Sequence, residues 1–298
     1  MKLKLVKTAL AATALSFAVS AHSNDIYMDA GKDYNGDTGF GGLANNTDLF
    51  SLLTYFYGSS STITDTSGDG LVGTGDTIVS SLSPAIAPNA CAGANICSFG
   101  TSPGDFGGAF DGNGYPAFGW RVGFDFTNIT GTLSGTGINF SAGTIKVIFD
   151  DASNAAVHMF DLNVTAGSIL LGKQIFTGTV GNFQGTALAG LAVGHTTDDI
   201  MHIILGGVDK TFKEADDLVG VEPISFEINQ TVQDGKDLFT LLGTTYVSNG
   251  ALVASGGNFS ITANHDSNTR FSIPEPAPIA LMGLSLLGLG FMRRFKKA

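Results

Sequence analysis

Asp65, Ser67, Asp69, Leu71 and Asp76 stand at positions 1, 3, 5, 7 and 12 of the stretch Asp65-Thr-Ser-Gly-Asp-Gly-Leu-Val-Gly-Thr-Gly-Asp76. That spacing converges side-chain oxygens from the first three, the Leu71 carbonyl and a closing carboxylate, with Gly70 at position 6 for the sharp turn. Ca2+, which takes six to eight oxygens at about 2.3–2.6 Å, is the cofactor such a loop suits. Ser67 replaces an acid and Asp76 replaces a bidentate Glu, so the expected affinity is modest. The bland reading is a solvated Asp/Gly turn. A second string, Asp33-Tyr-Asn35-Gly-Asp37, shares the first three positions but has Ala44 where an acid should close.

Other candidates carry less. Cys91 and Cys97 enclose five residues, and in an oxidising compartment they are expected to pair, shaping a loop more than holding the fold. Gly100-Thr-Ser102-Pro-Gly104 matches the nucleophile-elbow string, but Pro103 lacks the N–H that would serve the oxyanion, so it reads as a loop. His195, Asp198, Asp199 and His202 follow no zinc spacing, and a strand over Met201–Leu205 would put alternate residues on opposite faces. Asp150-Asp151 and Asp216-Asp217 are sequence neighbours, which cannot face each other across a cleft as glycosidase carboxylates must. The single Trp120, near Tyr115, Phe118 and Phe124, is either a sugar-stacking platform or, more simply, core. No catalytic residue is assigned, and the chain is read as not an enzyme. The 65–76 stretch resembles, over those twelve residues alone, the Asp/Gly-rich calcium loops of dockerin-type and EF-hand-like modules.

The elements that must position these residues follow from composition. Of 298 residues, 41 are Gly and only 14% are charged, the makeup of a turn-rich β protein. Seven of the 15 Lys+Arg sit at the two ends, leaving eight against all 26 acidic residues, a formal −18 for the interior. That excludes a nucleic-acid partner bound through phosphates, and disfavours anionic lipid surfaces. Short apolar runs recur between Gly/Asn/Asp/Ser clusters: Arg121–Ile129, Thr144–Phe149, Ala156–Val164, Ile169–Val180, Ile200–Leu205, Ile224–Asn229, Leu238–Val247, Ala251–Ala254 and Asn258–Thr262. Period-two alternation, as in Gly123–Ile129, marks half-buried strands. The fold class expected is mainly β, an antiparallel β-sandwich or jelly-roll-like body of one domain, residues 22–272. A helix is expected around Asn46–Tyr57 behind a Thr47 cap, and a long decorated loop over 58–119.

Both ends differ from the body in composition. Residues 1–21 combine Lys2, Lys4 and Lys7, the apolar run Thr8–Val19 and small residues before His22, the form of a signal peptide cut before His22 or, second, after Ser23. At the other end Pro274-Glu275-Pro276 precedes Ala277–Met292, sixteen residues without charge, then Arg293-Arg294-Phe-Lys-Lys297. An apolar run polar on no face and stopped by cations reads as a membrane helix slightly short of a full span, extended by snorkelling Arg and Lys. Basic residues retained inside would leave the body outside.

This three-part tail, Ile273–Lys297, resembles the PEP-CTERM sorting signal of bacteria, covering about 8% of the chain. The resemblance implies a Gram-negative host making exopolysaccharide, transient anchoring in the inner membrane, signal peptidase and an exosortase as partners during export, and delivery to the cell surface or matrix. By position it assigns Pro274, Glu275 and Pro276 to recognition, Ala277–Met292 to the helix, and Arg293 and Arg294 to the stop. Such a tag gives a destination and no activity. The expected function is therefore that of a non-catalytic surface or matrix protein linked to exopolysaccharide and biofilm. A carbohydrate-binding module around Trp120 is the alternative, and an exported hydrolase the next. An exposed aromatic row on one concave face would favour the second, a deep cleft with facing carboxylates or a Ser–His pair in hydrogen-bond reach the third, and a buried Trp120 with no deep polar pocket the first.

Overall fold

A computed structural model describes residues 26–32, 41, 46–47, 49–83, 97–98, 120–135, 137–151, 153–170, 173–205, 207–218, 223–232 and 257–272. The leader 1–21, the tail 273–298 with Pro274, Glu275, Pro276, Arg293 and Arg294, the 33–37 string, Cys91, and the runs 238–247 and 251–254 lie outside them. Among the described residues no helix is long and apolar enough to cross a membrane.

Thirteen strands are described: β1 (Ile26–Met28), β2 (Leu53–Thr64), β3 (Thr77–Leu82), β4 (Cys97–Ser98), β5 (Trp120–Phe126), β6 (Ile129–Ser134), β7 (Gly137–Asp151), β8 (Val157–Leu170), β9 (Lys173–Gly181), β10 (Met201–Leu205), β11 (Val208–Thr211), β12 (Ser225–Val232) and β13 (Asn258–Ser272). The one described α-helix, α1 (Phe212–Asp216), is short. The chain is mainly β, antiparallel and sandwich-like. The large sheet runs β4-β5-β7-β6-β3-β2-β13-β12-β9-β8, and β8 pairs back onto β7. Eight strands, β7-β6-β3-β2-β13-β12-β9-β8, therefore form a ring of continuous pairing, which removes the two open edges of a sandwich.

The ring closes because β7 is long enough to serve three neighbours. Its first half pairs with β6 and its second half with β5, along one edge, while β8 follows the other edge. The chain then needs close approach at chosen points. A Cβ placed on Gly178 would lie 1.9 Å from the Asn163 backbone oxygen, so β8 and β9 pack there only over a glycine.

Period two sets the two faces. In β2, Leu53, Tyr55, Tyr57, Ser59, Ser61 and Ile63 are buried, and Thr62 and Thr64 are exposed. The inner face contributes an aromatic cluster in which Tyr55 and Tyr57 meet Phe124 edge-on at 4.8 and 5.6 Å, and Tyr57 meets Phe126 at 5.6 Å. Each fully buried ring contributes about 1.5–3 kcal/mol. A second sheet, β1-β10-β11, packs its Ile26, Met28, Met201 and Ile203 into the same core.

Two expectations fail. No helix spans Asn46–Tyr57: from Leu53 the chain is strand β2, twelve residues paired to β13. The run Leu53-Thr-Tyr-Phe-Tyr is β-branched and aromatic with period-two burial, and that preference outweighs a Thr cap. Residues 58–64 and 77–82 are likewise not loop; these Ser/Thr-rich stretches form more than half of β2 and all of β3, with small hydroxyls turned inward, while 65–76 between them is loop.

Candidate functional site

The loop between β2 and β3 carries the calcium candidates. Asp65 accepts from Ser67 Oγ (3.0 Å), Gly68 N (2.7 Å) and Gly70 N (2.7 Å). Those backbone donors, Gly70 first, hold its carboxyl below the usual carboxylate range. Asp69 caps Leu71 N at 2.8 Å. Asp76, fully buried, accepts from Thr66 N at 3.0 Å and Gly73 N at 2.7 Å. The loop thus converges Asp65, Ser67, Asp69 and Asp76 on its own amides, through Asx-type turns. Among the described residues no group of three or more His, Cys, Asp or Glu side chains is placed to hold a metal.

A buried cluster of hydrogen-bonded polar groups lies elsewhere, inside the ring. Ser59 Oγ is 2.7 Å from His265 Nε2, and the His265 ring stacks on Tyr57 with centroids 4.6 Å apart. Tyr57 donates its hydroxyl to Gln230 Oε1 at 2.8 Å; Tyr55 pairs with Thr269 and Ser61 with Ser80. Gln174, Gln230, Ser267 and Tyr55 form one row across β9, β12, β13 and β2. Tyr55, Tyr57 and Gln230 also line an internal cavity of about 10 Å³, the size of a single water. Burial pulls His265 down to about 4, so it is neutral at physiological pH, and pushes the Tyr57 phenol well above its usual range.

Sequence reading missed this cluster. The signal was present as Tyr55-x-Tyr57-x-Ser59-x-Ser61 and His265-x-Ser267-x-Thr269. Alternation says that these residues share a face, but not that the face is the inner one.

The other candidates are dispersed. His202 stacks on Tyr27 and touches Asp209 and the Asp199 carbonyl. Asp198 accepts from Gly185 N, and Asp199 closes a capping box with Thr196. The His195 ring packs against Gly31. These four form no metal centre. Asp151 binds the Ser153 and Asn154 amides of a turn, Asp150 that of Ala156, and Asp216 and Asp217 end α1. Ser102 lies outside the described residues, and Cys97 starts the two-residue strand β4. Trp120 is fully buried against Phe149 at 6.1 Å, so it is core and offers no stacking platform.

No family model, no curated protein and no solved structure matches this chain.

Proposed function

We propose that this chain is an exported, non-catalytic protein of the cell surface or extracellular matrix, anchored transiently in the inner membrane and sorted by an exosortase, with exopolysaccharide as its surroundings. The observation that carries the reading is the order of the tail: Pro274-Glu275-Pro276, sixteen uncharged residues, then Arg293-Arg294-Phe-Lys-Lys297. The exposed Thr62 and Thr64 of β2, Glu227 of β12 and Arg270 of β13 suit a body bathed in water. Burial of Trp120 removes the strongest argument for a defined sugar site.

The test is mass spectrometry of both ends of the chain recovered from fractionated host cells. The expected protein begins at His22 and lacks the tail beyond the 274–276 motif, and Glu275→Ala keeps the tail. A full-length chain in the cytosol overturns the reading.

A second reading, an exported hydrolase, is favoured by the 2.7 Å separation of Ser59 and His265. Against it, both side chains are buried, and no carboxylate orients His265 from Nδ1, as a triad requires. A fluorophosphonate probe separates the two: labelling of Ser59 would make the chain a hydrolase.

A further inference from the structure

We propose that the ring interior makes one covalent bond of its own: the Ser267 hydroxyl attacks the Gln230 carboxamide, joining β13 to β12 through an ester and releasing ammonia. The inference is independent of the chain's destination.

The two residues are direct cross-strand partners, 2% and 4% exposed. Cβ atoms so placed lie roughly 4.5–5.5 Å apart. A serine oxygen and a glutamine carbonyl carbon can then meet by side-chain rotation alone, with no strand movement. Ser267 Oγ is buried and makes no hydrogen bond of standard geometry. Its polar neighbour is the Tyr57 hydroxyl; a buried hydroxyl so poorly engaged costs about 1–3 kcal/mol, and ester formation removes that cost.

The surroundings supply what acyl transfer needs. Gln230 Oε1 already accepts from the Tyr57 hydroxyl at 2.8 Å, which polarises the carbonyl and stabilises the tetrahedral oxyanion. Burial keeps that phenol protonated, and the nearby Tyr55 phenol adds to the rise; hydrogen bonding with Gln230 and Ser267 offsets part of it. His265 lies two residues before Ser267 on the same inward face and stacks on Tyr57 at 4.6 Å. Its Nε2 is held by Ser59 at 2.7 Å, and its Nδ1 is buried without a partner. A neutral imidazole with one free nitrogen can serve as general base once side-chain rotation brings the Ser267 hydroxyl within hydrogen-bond reach.

The step balances within the chain. The Oγ–Cδ bond forms and the Cδ–Nε2 bond of Gln230 breaks. The serine proton passes through His265 Nδ1 to the departing nitrogen, which leaves as ammonia. Nothing is oxidised or reduced, and no co-reactant enters. It is a single self-modification with no turnover.

Peptide mass mapping of the full chain tests this directly. The segments holding residues 230 and 267 are expected as one linked species, about 17 Da lighter than their sum for the ammonia lost in acyl transfer. Cyclisation at Asn35-Gly36, Asn113-Gly114 or Asn249-Gly250 loses the same mass but links no segments and persists in Ser267→Ala. Ser267→Ala is expected to abolish the linked species, and His265→Gln to leave the two segments separate in protein that keeps its β circular dichroism. Two unlinked segments of full mass from folded parent protein overturn the proposal, as does a linked species that survives Ser267→Ala. Linkage at the parental rate in His265→Gln overturns the role of the base.

Discussion

His265 Nε2 lies 2.7 Å from Ser59 Oγ inside the closed ring, and the opposite ring nitrogen meets no partner. The imidazole is thus buried in the form that carries no charge, and its folded pKa falls from 6.5 to about 4 because burial disfavours the charged ring. A lowered pKa means that the unfolded chain binds more protons between these values, so stability falls as pH falls. Stability should be complete above about pH 6.5, decline toward pH 4 and level off below. The loss from this group is about 3 kcal/mol, at 1.36 kcal/mol per pH unit. Urea midpoints from pH 7.5 to 3.5 measure it. His265→Gln should flatten this part of the profile; an unchanged slope would assign the acid sensitivity elsewhere.

Gly178→Ala should be among the most damaging single changes. The added methyl would meet the Asn163 backbone oxygen at 1.9 Å, and backbone on the adjacent strand cannot step aside without breaking the β8–β9 register. A loss of about 3 kcal/mol or more is expected. Gly135→Ala, where the new carbon meets nothing within 4 Å, is the matched control and should unfold at nearly the parental denaturant concentration.

Asp76 ties the two ends of the β2–β3 loop by accepting from Thr66 N and Gly73 N. Asp76→Ala leaves both amides without that acceptor and should cost about 1–3 kcal/mol, read from thermal unfolding in the presence of a chelator. Calcium is proposed for the same loop from the spacing of Asp65, Ser67, Asp69, Leu71 and Asp76. Calorimetry of the chain should then show weak calcium heat that Asp69→Ala abolishes. No heat in the parent leaves a turn held by its own hydrogen bonds.

Trp120 is the only tryptophan in the chain and is fully buried. Its emission should be blue-shifted, resist acrylamide quenching and ignore added oligosaccharide. A sugar-dependent change in intensity would restore the carbohydrate-binding reading.

Much of the fold is legible because β structure writes itself locally. Strands β5, β9, β10 and β12 and parts of β7, β8 and β13 coincide with runs that alternate or are β-branched, and Gly/Asn/Asp clusters separate them. Ser59, Ser61 and Ser80 were unreadable as core for a reason equally physical. Burial of these three hydroxyls rests on partners from other strands, Ser61 with Ser80 and Ser59 with His265. The Asn46–Tyr57 helix failed because a cap signal is worth about 1 kcal/mol, less than the burial of Leu53, Tyr55 and Tyr57.

By itself the sequence determines a β-rich body, its acidic balance, the turn built on Asp65 and Asp76, and the two terminal patterns, since each depends on neighbours within a dozen or so residues. Only the tertiary structure decides which face of β2 and β13 is the inside, that β7 and β8 close the ring, and that His265 meets a serine 206 positions away. A period of two specifies two faces and leaves their destinations equal. What breaks that equality is the partner strand, which lies far along the chain.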